Sequence, residues 1–468
     1  MAEANIKSKA KSMTEGDPAK LILNFAMPLI AGNVIQQLYG FIDTVLVGRF
    51  LGVDALAAVG CGFVLMMLII GFMMGLTAGM TIVTGQRFGA GDHNGVHRSV
   101  VTCIEICLGV SIFLAILGWA FGRDVLVFMN TPPEILDDAL SFTDVFCISI
   151  PIGAMMLLGG NLIRALGNSK VPTAIMSISL VFNIVLEPIF LLYFGWGIPG
   201  AAWGIVVSQL AAVIMIVYYI YKHVPELHIR RKDWRYNWKF MYAHLRVAVP
   251  MAFQASIIGL GIFVIQMALN KLGPTAIASY SASSKIDSIA LMPMMSFGIA
   301  IGAYTAQNFG AKNFDRIREG VRKCAQMSVG FSVVVGILVI LFGTELLSLF
   351  VGPEETEALE YGNIYLKITG STYWILALLF VYRYALQGVG KSFVPTLAGV
   401  MELLMRGGAA LFLADLMGYA GVCVANPLAW VGSAVPLMIA YYISVYKEKN
   451  GPVEEAKPKR RMVDFFKI

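Results

Sequence analysis

Charged side chains are scarce in this chain. Of its 468 residues only 14% are Asp, Glu, Lys or Arg, whereas 58% are hydrophobic. Soluble domains carry about 25% charged residues and about half apolar residues, so the composition argues strongly against a soluble protein. The chain is therefore expected to lie in a membrane, where a helix of about 20 apolar residues crosses the hydrocarbon layer.

Cysteine and histidine are also few, with six and five residues. The cysteines lie in or beside apolar stretches without paired spacing, so they predict neither disulfides nor a metal site. The histidines lie in or beside polar segments, and no His-Glu-x-x-His sequence occurs. Residues 388–392 resemble a phosphate-binding loop, but Ala385 replaces its first glycine and no strand precedes it. We expect neither an enzyme, nor a nucleotide-driven pump, nor a cofactor.

Long apolar segments are abundant, and twelve of them are long enough to span a bilayer. We therefore predict an all-α integral membrane protein with twelve transmembrane helices. The segments lie near residues 21–47, 56–82, 99–121, 139–163, 171–194, 198–221, 243–269, 276–303, 323–342, 363–386, 395–416 and 420–446.

The sequence also contains an internal repeat. Residues 84–90 read Thr-Gly-Gln-Arg-Phe-Gly-Ala, and residues 305–311 read Thr-Ala-Gln-Asn-Phe-Gly-Ala. Pro28 and Pro250 recur at nearly the same shift. Because each half holds six spans, the repeat is expected to be parallel, with its axis along the membrane normal and the substrate pathway between the halves.

The repeat divides the chain into two six-helix lobes joined by a polar linker. We expect the parts to be a tail at 1–20, an N-terminal lobe at 21–221, a linker at 222–242, a C-terminal lobe at 243–446 and a tail at 447–468.

The distribution of basic residues predicts the orientation. They concentrate in the tails, the linker and alternate loops, whereas the opposite loops carry only Arg49, Arg123 and Lys271. By the positive-inside rule, both termini and the linker are expected in the cytoplasm. The net charge of +6 is then an orientation signal, and its spread over many loops argues against nucleic-acid binding.

Polar residues inside the first span are the first functional signal, because they cost free energy in a bilayer. They fall on one helical stripe, with Tyr39 beside it. Helix-to-helix hydrogen bonding and a substrate cavity are equal alternatives for the amides, but a carboxylate there requires a proton, a cation or donors. The stripe consists of Asn33, Gln36, Gln37, Gly40 and Asp43.

The fifth span offers a partner for Asp43. Asn183 and Glu187 are four residues apart on one face, and Pro188 loosens the backbone beside them. Two carboxylates and an amide can hold Na⁺ through oxygen ligands or trap a proton, and the sequence does not choose between these ions. The structural alternative places Glu187 at the outer interface, close to Tyr193.

The second half differs at the matching places. Gln254 lies in the seventh span, which has no acid, and the eighth carries Lys285 and Asp287. These two charges point to different sides of their helix; a position near the outer membrane surface is the first interpretation for them, and a substrate-cavity position for Asp287 is the second. Glu402 and Arg406 have the spacing of a structural ion pair.

The order of the motifs resembles the multidrug and toxic compound extrusion (MATE) family, bacterial branch, over about residues 18–446. The resemblance rests on residues 28–33, 39–44, 51–58, 86–90 and 307–311. It implies two lobes arranged in a V, alternating access, and export of organic cations or other amphipathic drugs in exchange for H⁺ or Na⁺. It also implies a monomer in the bacterial inner membrane.

The resemblance assigns the cation site to Asp43, Asn183 and Glu187. In the family the acid of the fifth helix is often Asp, so Glu187 is one methylene longer. Ile205 replaces a hydroxyl of the sixth helix seen in some relatives. Residues 250–261 lack the acid that another branch has in the seventh helix, so a cation site in the C-terminal lobe is not expected.

The expected mechanism is antiport by competition. A cation on Asp43 and Glu187 would repack the Pro28-containing first helix and weaken the hold on drug, because each ligand favours a different state. The cavity candidates are Asn33, Gln36, Tyr39, Gln254 and Asp287, and the conformational candidates are Pro28 and Pro250.

Two rival functions remain at this point. A flippase or exporter of a lipid-linked or anionic substrate would need a basic cavity, which mainly Lys285, Lys367 and Arg406 could supply inside the membrane spans. A passive channel or scaffold would show no ion-coupled flux.

Overall fold

A computed structural model describes residues 8–446 of the chain, apart from residues 52, 130, 235 and 353. Several side chains within this range, Asp43 among them, lie outside the description. The helices are α1 (Pro18–Leu51), α2 (Val53–Gly89), α3 (His93–Phe128), α4 (Pro133–Ala165), α5 (Lys170–Pro188), α6 (Ile198–His223), α7 (Trp238–Asn270), α8 (Pro274–Gly310), α9 (Phe314–Leu341), α10 (Gly343–Val351), α11 (Thr356–Gly388), α12 (Phe393–Met417) and α13 (Tyr419–Tyr441).

The twelve predicted spans fall in twelve different long helices. Among the described residues, eleven helices are long and apolar enough to cross a membrane. The remaining span, 243–269, falls in α7, where some side chains are not described. The helices extend beyond the predicted spans because hydropathy marks only the apolar centre of a helix. The nine-residue α10, between α9 and α11, was not predicted.

The helices pack as two lobes. In the first half α4 contacts α2, α3 and α6, and α5 contacts α6. In the second half α11 contacts α8, α9 and α13, and α12 contacts α13. The first helix of each half also packs against the second helix of the other half, α1 on α8 and α7 on α2. These exchanged contacts reflect the internal repeat.

Two glycines allow the close contact between α2 and α7. A Cβ added at Gly79 would lie 2.5 Å from Cα of Ala248, and one at Gly75 would collide with the backbone of Met251. Glycines four residues apart let helix backbones approach closely in a membrane, where dispersion contacts between helices hold them together. A larger side chain at either position would separate the lobes.

We call the end of the bundle that carries residues 8–17 the terminal face. There the backbone N–H of Lys11 donates to the carbonyl of Leu166 just after α4, and that of Met13 donates to Gln307 near the end of α8. The linker after α6 lies at the same face, because Lys9 bonds the carbonyl of His223. Residues from both lobes therefore meet here.

Candidate functional site

A buried polar cluster in the N-terminal lobe joins α1 to α5. The hydroxyl of Tyr39 donates a hydrogen bond of 2.5 Å to Oδ1 of Asn183. Asn183 and Glu187 lie one helical turn apart on the inner face of α5, and Glu187 is only 1% exposed. Three of the predicted site residues are thus brought together, although Tyr39 was expected only in the substrate cavity.

Asp43 is predicted to join the same cluster from its register in α1. Its side chain lies outside the described part of the chain, so its contacts stay a prediction. Asp43 follows Tyr39 by four residues within α1, and residues with this spacing share one face of a helix. The backbone of α1 is therefore compatible with the predicted grouping of Asp43, Asn183 and Glu187.

Gly204 on α6 closes the cluster from the other side. A Cβ at this position would lie 3.1 Å from Nδ2 of Asn183 and 3.5 Å from Cα of Glu187. Sequence reasoning looked for a hydroxyl and found Ile205, but Ile205 packs into the apolar core of the lobe. Gly204 directly precedes Ile205, but a glycine has no side chain that would mark it as part of a polar site. It was therefore missed in the sequence.

The backbone changes immediately after Glu187. Helix α5 ends at Pro188 and continues as a π-turn over Ile189–Tyr193, as expected where proline removes a helix hydrogen bond. Glu187 is buried, whereas Tyr193, six residues further on, is 84% exposed. Wide helical turns of this kind occur frequently at functional sites.

The other polar residues of α1 face the second lobe. Nδ2 of Asn33 donates to Oγ of Ser296 over 3.1 Å, and Nε2 of Gln37 donates to Oγ of Ser288 over 3.0 Å. Both serines belong to α8. Gln36 is exposed. Asn33 and Gln37 therefore lie at the interface between the lobes, where they form helix-to-helix hydrogen bonds.

Gln254 is enclosed within its own lobe. Its Nε2 donates to the carbonyl of Pro395 over 3.0 Å, and its Oε1 accepts from Nε2 of Gln387 over 2.7 Å. It is buried between α7, α11 and α12. These bonds give the amide a structural role in addition to the cavity role expected from the sequence.

Asp287 is likewise buried, inside the C-terminal lobe. Its Oδ1 accepts 2.6 Å from the hydroxyl of Tyr373, and its Oδ2 accepts 3.1 Å from that of Tyr365. The neighbouring Lys285 is exposed and lies over the ring of Phe350, so the two charges do point to different sides of α8. The tyrosines were missed because pairing between α8 and α11 leaves no local sequence signal.

The predicted pair of Glu402 and Arg406 is part of a buried triad. Nη2 of Arg406 lies 2.7 Å from Oε1 of Glu402, and Nη2 of Arg383 lies 2.6 Å from Oε2. Arg383 is an arginine inside a predicted span, which is the signal that could have found it. Since Arg406 is buried in this triad while Lys285 and Lys367 are exposed, the three basic residues do not form one central basic cavity.

The two predicted conformational prolines lie inside α1 and α7. One turn before Pro28, the carbonyl of Phe25 accepts a hydrogen bond of 2.7 Å from Ser169. The carbonyl of Pro250 accepts one of 2.8 Å from Thr396. These side-chain bonds join α1 and α7 to neighbouring elements beside each proline. Each proline is thus tied to the helix that starts at the terminal face of its own half.

Comparison with known proteins identifies the architecture. The probable multidrug resistance protein YoeA of Bacillus subtilis is 28% identical over 439 residues, which cover 91% of this chain and 94% of that protein. An FAD transporter of Shewanella oneidensis is 24% identical, covering 82% of this chain and 86% of that protein. A solved structure of a multidrug resistance MATE family transporter in an outward-facing conformation matches with a TM-score of 0.88 at 21% identity, covering 95% and 100%.

The MatE family profile matches residues 28–189 and 250–406. One match lies in each half, and the matches begin at the repeated Pro28 and Pro250, as a duplicated unit requires. Together they cover more than half of the chain. The expected fold of two six-helix lobes is confirmed, and the chain belongs to the MatE family of multi-pass membrane transporters, which are not enzymes.

Proposed function

We propose that this chain is a secondary active exporter of organic cations and other amphipathic drugs, driven by exchange for H⁺ or Na⁺. The names of curated relatives support drug export. The observation that carries ion coupling is the bond from Tyr39 to Asn183 beside the buried Glu187. It connects the helix that carries Asp43 to the helix that carries the second acid.

The cation site in this proposal consists of Asp43, Asn183 and Glu187. Carboxylates are costly inside a membrane and mark ion pathways. Two carboxylates and an amide oxygen provide the hard ligands that Na⁺ accepts, and a proton can neutralise one carboxylate instead. Both ions act through the same residues, and an ion gradient supplies the energy for export.

Binding would be transmitted through α1. This helix touches the cation site through Tyr39 and touches α8 through Asn33 and Gln37. A change in the position of α1 therefore alters the lobe interface, where Asn33, Gln36 and Tyr39 would contact the drug. Gln254 and Asp287 would shape the opposite wall from inside their lobe.

Pro28 and Pro250 would allow the helices that carry them to bend during alternating access. A proline within a helix removes a backbone hydrogen bond and favours a kink. Each lies in the first helix of its half, which packs on the other lobe. Bending there would move the lobe contact without unfolding either lobe.

The proposed setting is the inner membrane of a bacterium, with a monomeric transporter whose terminal face is cytoplasmic. The basic tails, the linker and the loops of that face support this orientation. Drugs would enter from the cytoplasm between the lobes and leave on the opposite side.

The test is ethidium efflux from proteoliposomes under an imposed pH gradient or an imposed Na⁺ gradient. Efflux that follows one gradient establishes antiport and identifies the ion. Efflux without any dependence on either gradient contradicts coupling and favours a passive channel.

An alternative is export of a lipid-linked or anionic substrate on the same architecture. A related protein is an FAD transporter, and FAD is anionic. The buried arginines of the triad provide one net positive charge, but they are engaged with Glu402. Gradient-driven uptake of FAD, with no transport of organic cations, would favour this alternative.

A further inference from the structure

A short segment before α1, residues 8–17, lies across the terminal face; we call it the strap. The segment lies within the tail predicted at residues 1–20. On the N-terminal lobe, the N–H of Lys9 donates to the carbonyl of His223 over 3.0 Å, and the N–H of Lys11 donates to that of Leu166 over 2.8 Å. The strap thus pairs with the ends of α6 and α4 through its backbone.

The same segment is bonded to the C-terminal lobe. The N–H of Met13 donates to Oε1 of Gln307 over 2.7 Å, and its carbonyl accepts from Nδ2 of Asn308 over 3.1 Å. The side chain of Met13 is 2% exposed and packs into the core that contains α8 and α9. The strap therefore spans the boundary between the lobes.

Two charged side chains hold the end of the strap. Nη2 of Arg316 donates to the carbonyl of Gly16 over 2.9 Å, and Nζ of Lys323 lies 3.0 Å from Oδ1 of Asp17. The hydrogen bond from Lys323 lowers the pKa of Asp17 below its usual value, so this pair stays charged at neutral pH. Both partners belong to α9.

The repeated sequence motifs form a symmetric contact directly beneath the strap. Gln86 at the end of α2 donates to the carbonyl of Gly388 at the end of α11, over 2.9 Å. Gln307 at the end of α8 donates to the carbonyl of Ala165 at the end of α4, over 2.8 Å. Each lobe thus bonds the other through an equivalent amide, and we call this pair of bonds the glutamine gate.

The two glutamines differ in one respect. Gln307 bonds both Ala165 and the strap residue Met13, whereas the bond described for Gln86 joins only the two lobes. The strap is therefore attached to one of the two bonds that close the gate. Opening the terminal face would have to separate Gln307 from Ala165. It would also pull Met13, which is bonded to α8, away from the carbonyls that hold Lys9 and Lys11 on the N-terminal lobe.

We propose that the strap is a lock on the terminal side of the transporter, which keeps the glutamine gate closed and must break its bonds to one of the lobes before this side opens. The proposal rests on the alternating access of the proposed function. The strap is one continuous segment that is bonded to both lobes. Separation of the lobes therefore breaks its bonds to at least one of them. The strap adds to the barrier for opening one face while leaving the opposite face unaffected.

The test measures gate opening without drug or ion gradient. Ala306 is 2% exposed and faces Gly85 across the gate. In a parent whose six native cysteines are replaced, Ala306→Cys reports opening through its rate of maleimide labelling in lipid nanodiscs. The strap is dislodged by Met13→Asp, which places a charge in the apolar contact, and Ser12→Asp is the matched control at an exposed neighbouring position.

We expect the cysteine of Ala306→Cys to react with maleimide about tenfold faster when Met13→Asp is also present than in the parent. The reason is that protection from labelling falls as the fraction of locally open molecules rises. Ser12→Asp should leave the rate unchanged. Equal rates in Met13→Asp and the parent, or equal acceleration by Ser12→Asp, overturn the proposal. A monodisperse elution profile in detergent shows that each variant is folded.

A second comparison uses the glutamines. Gln307→Ala removes a gate bond and a strap bond, whereas Gln86→Ala removes only a gate bond. With Met13→Cys as the labelled residue, Gln307→Ala should accelerate labelling more than Gln86→Ala, and equal effects count against the lock. Because neither readout requires transport, failure of drug export and failure of the lock give different results.

Discussion

The two lobes derive from one repeated unit, yet they treat buried carboxyl groups differently. In the C-terminal lobe Glu402 lies between two guanidinium groups, and Asp287 lies between two phenols. In the N-terminal lobe the contacts described around Asn183 and Glu187 are with the phenol of Tyr39 and with Gly204. The C-terminal lobe has donors built in for its charges, which suits a structural role.

This contrast teaches that acid content does not identify a functional site in a membrane protein. Both lobes carry acids, and the two buried acids of the C-terminal lobe are each held by two fixed donors. Fixed arginines and tyrosines hold a carboxylate in one state, whereas exchange of an ion requires that the carboxyl group can change state. The predictions below test whether the lobes divide structure and ion coupling in this way.

The largest effect on stability is expected from the triad. Glu402→Gln leaves two buried guanidinium groups without the carboxylate between them, and breaking a buried ion pair in this way costs about 3–5 kcal/mol. Glu187→Gln makes the same chemical change at the proposed cation site, where the acid is expected to change its protonation or ion-binding state, and it should cost less than about 3–5 kcal/mol. The measurement is thermal unfolding in detergent. Equal losses of thermal stability in both variants would show that the two lobes do not differ in how they hold their acids.

A large effect on transport is expected from Gly204→Val. The new side chain would press on Asn183 and Glu187, and overpacking typically costs about 1–3 kcal/mol. Gly408→Ala is the control, because a Cβ at that position meets no atom within 4 Å. Initial rates of drug efflux should fall at least about fivefold in Gly204→Val and remain normal in Gly408→Ala. Normal efflux in both variants would show that Gly204 does not contribute to the cation site.

A smaller effect is expected from single phenol hydroxyls. Tyr39→Phe removes the bond to Asn183, and one hydrogen bond contributes about 1 kcal/mol, so the apparent affinity for the coupling ion should fall several-fold. Tyr373→Phe removes a donor to Asp287 and should lower thermal stability while leaving ion affinity unchanged. An ion affinity that falls in Tyr373→Phe instead would move the coupling site to the C-terminal lobe.

The smallest effect is expected from Gln37→Ala. Its bond to Ser288 is exposed, and interhelical hydrogen bonds in membranes average about 0.6 kcal/mol. Efflux rates should change by less than about threefold. A complete loss of efflux would show that Gln37 contacts the drug or the ion rather than only α8.

The fold followed from sequence because its causes are local and repeated. Apolar length predicted the twelve long helices, and the repeated motifs predicted two lobes. The nine residues of α10 escaped because they are too short to give a span signal. The strap escaped for a different reason: its bonds to both lobes are made chiefly by its backbone, which sequence does not distinguish from that of a free tail.

The candidate site was predicted in part for similar reasons. Helical spacing alone placed Asn183 and Glu187 on one face of α5. It likewise placed the amides of α1 on one face of that helix. Contacts between distant parts of the chain depend on which helices pack together, so local spacing does not reveal them. Examples are the contact of Arg383 with Glu402 and those of the two tyrosines with Asp287. Gly204 is informative only once α6 lies against α5, since a glycine by itself reports no contact.

The most direct test of the account is gradient-driven efflux by Asp43→Asn and Glu187→Gln in proteoliposomes, measured beside wild type and Tyr373→Phe. If the N-terminal acids couple the ion to the drug, both acid variants insert and fold but lose gradient-dependent efflux, while Tyr373→Phe retains it. Gradient-dependent efflux at the wild-type rate in both acid variants would contradict ion coupling through the N-terminal lobe.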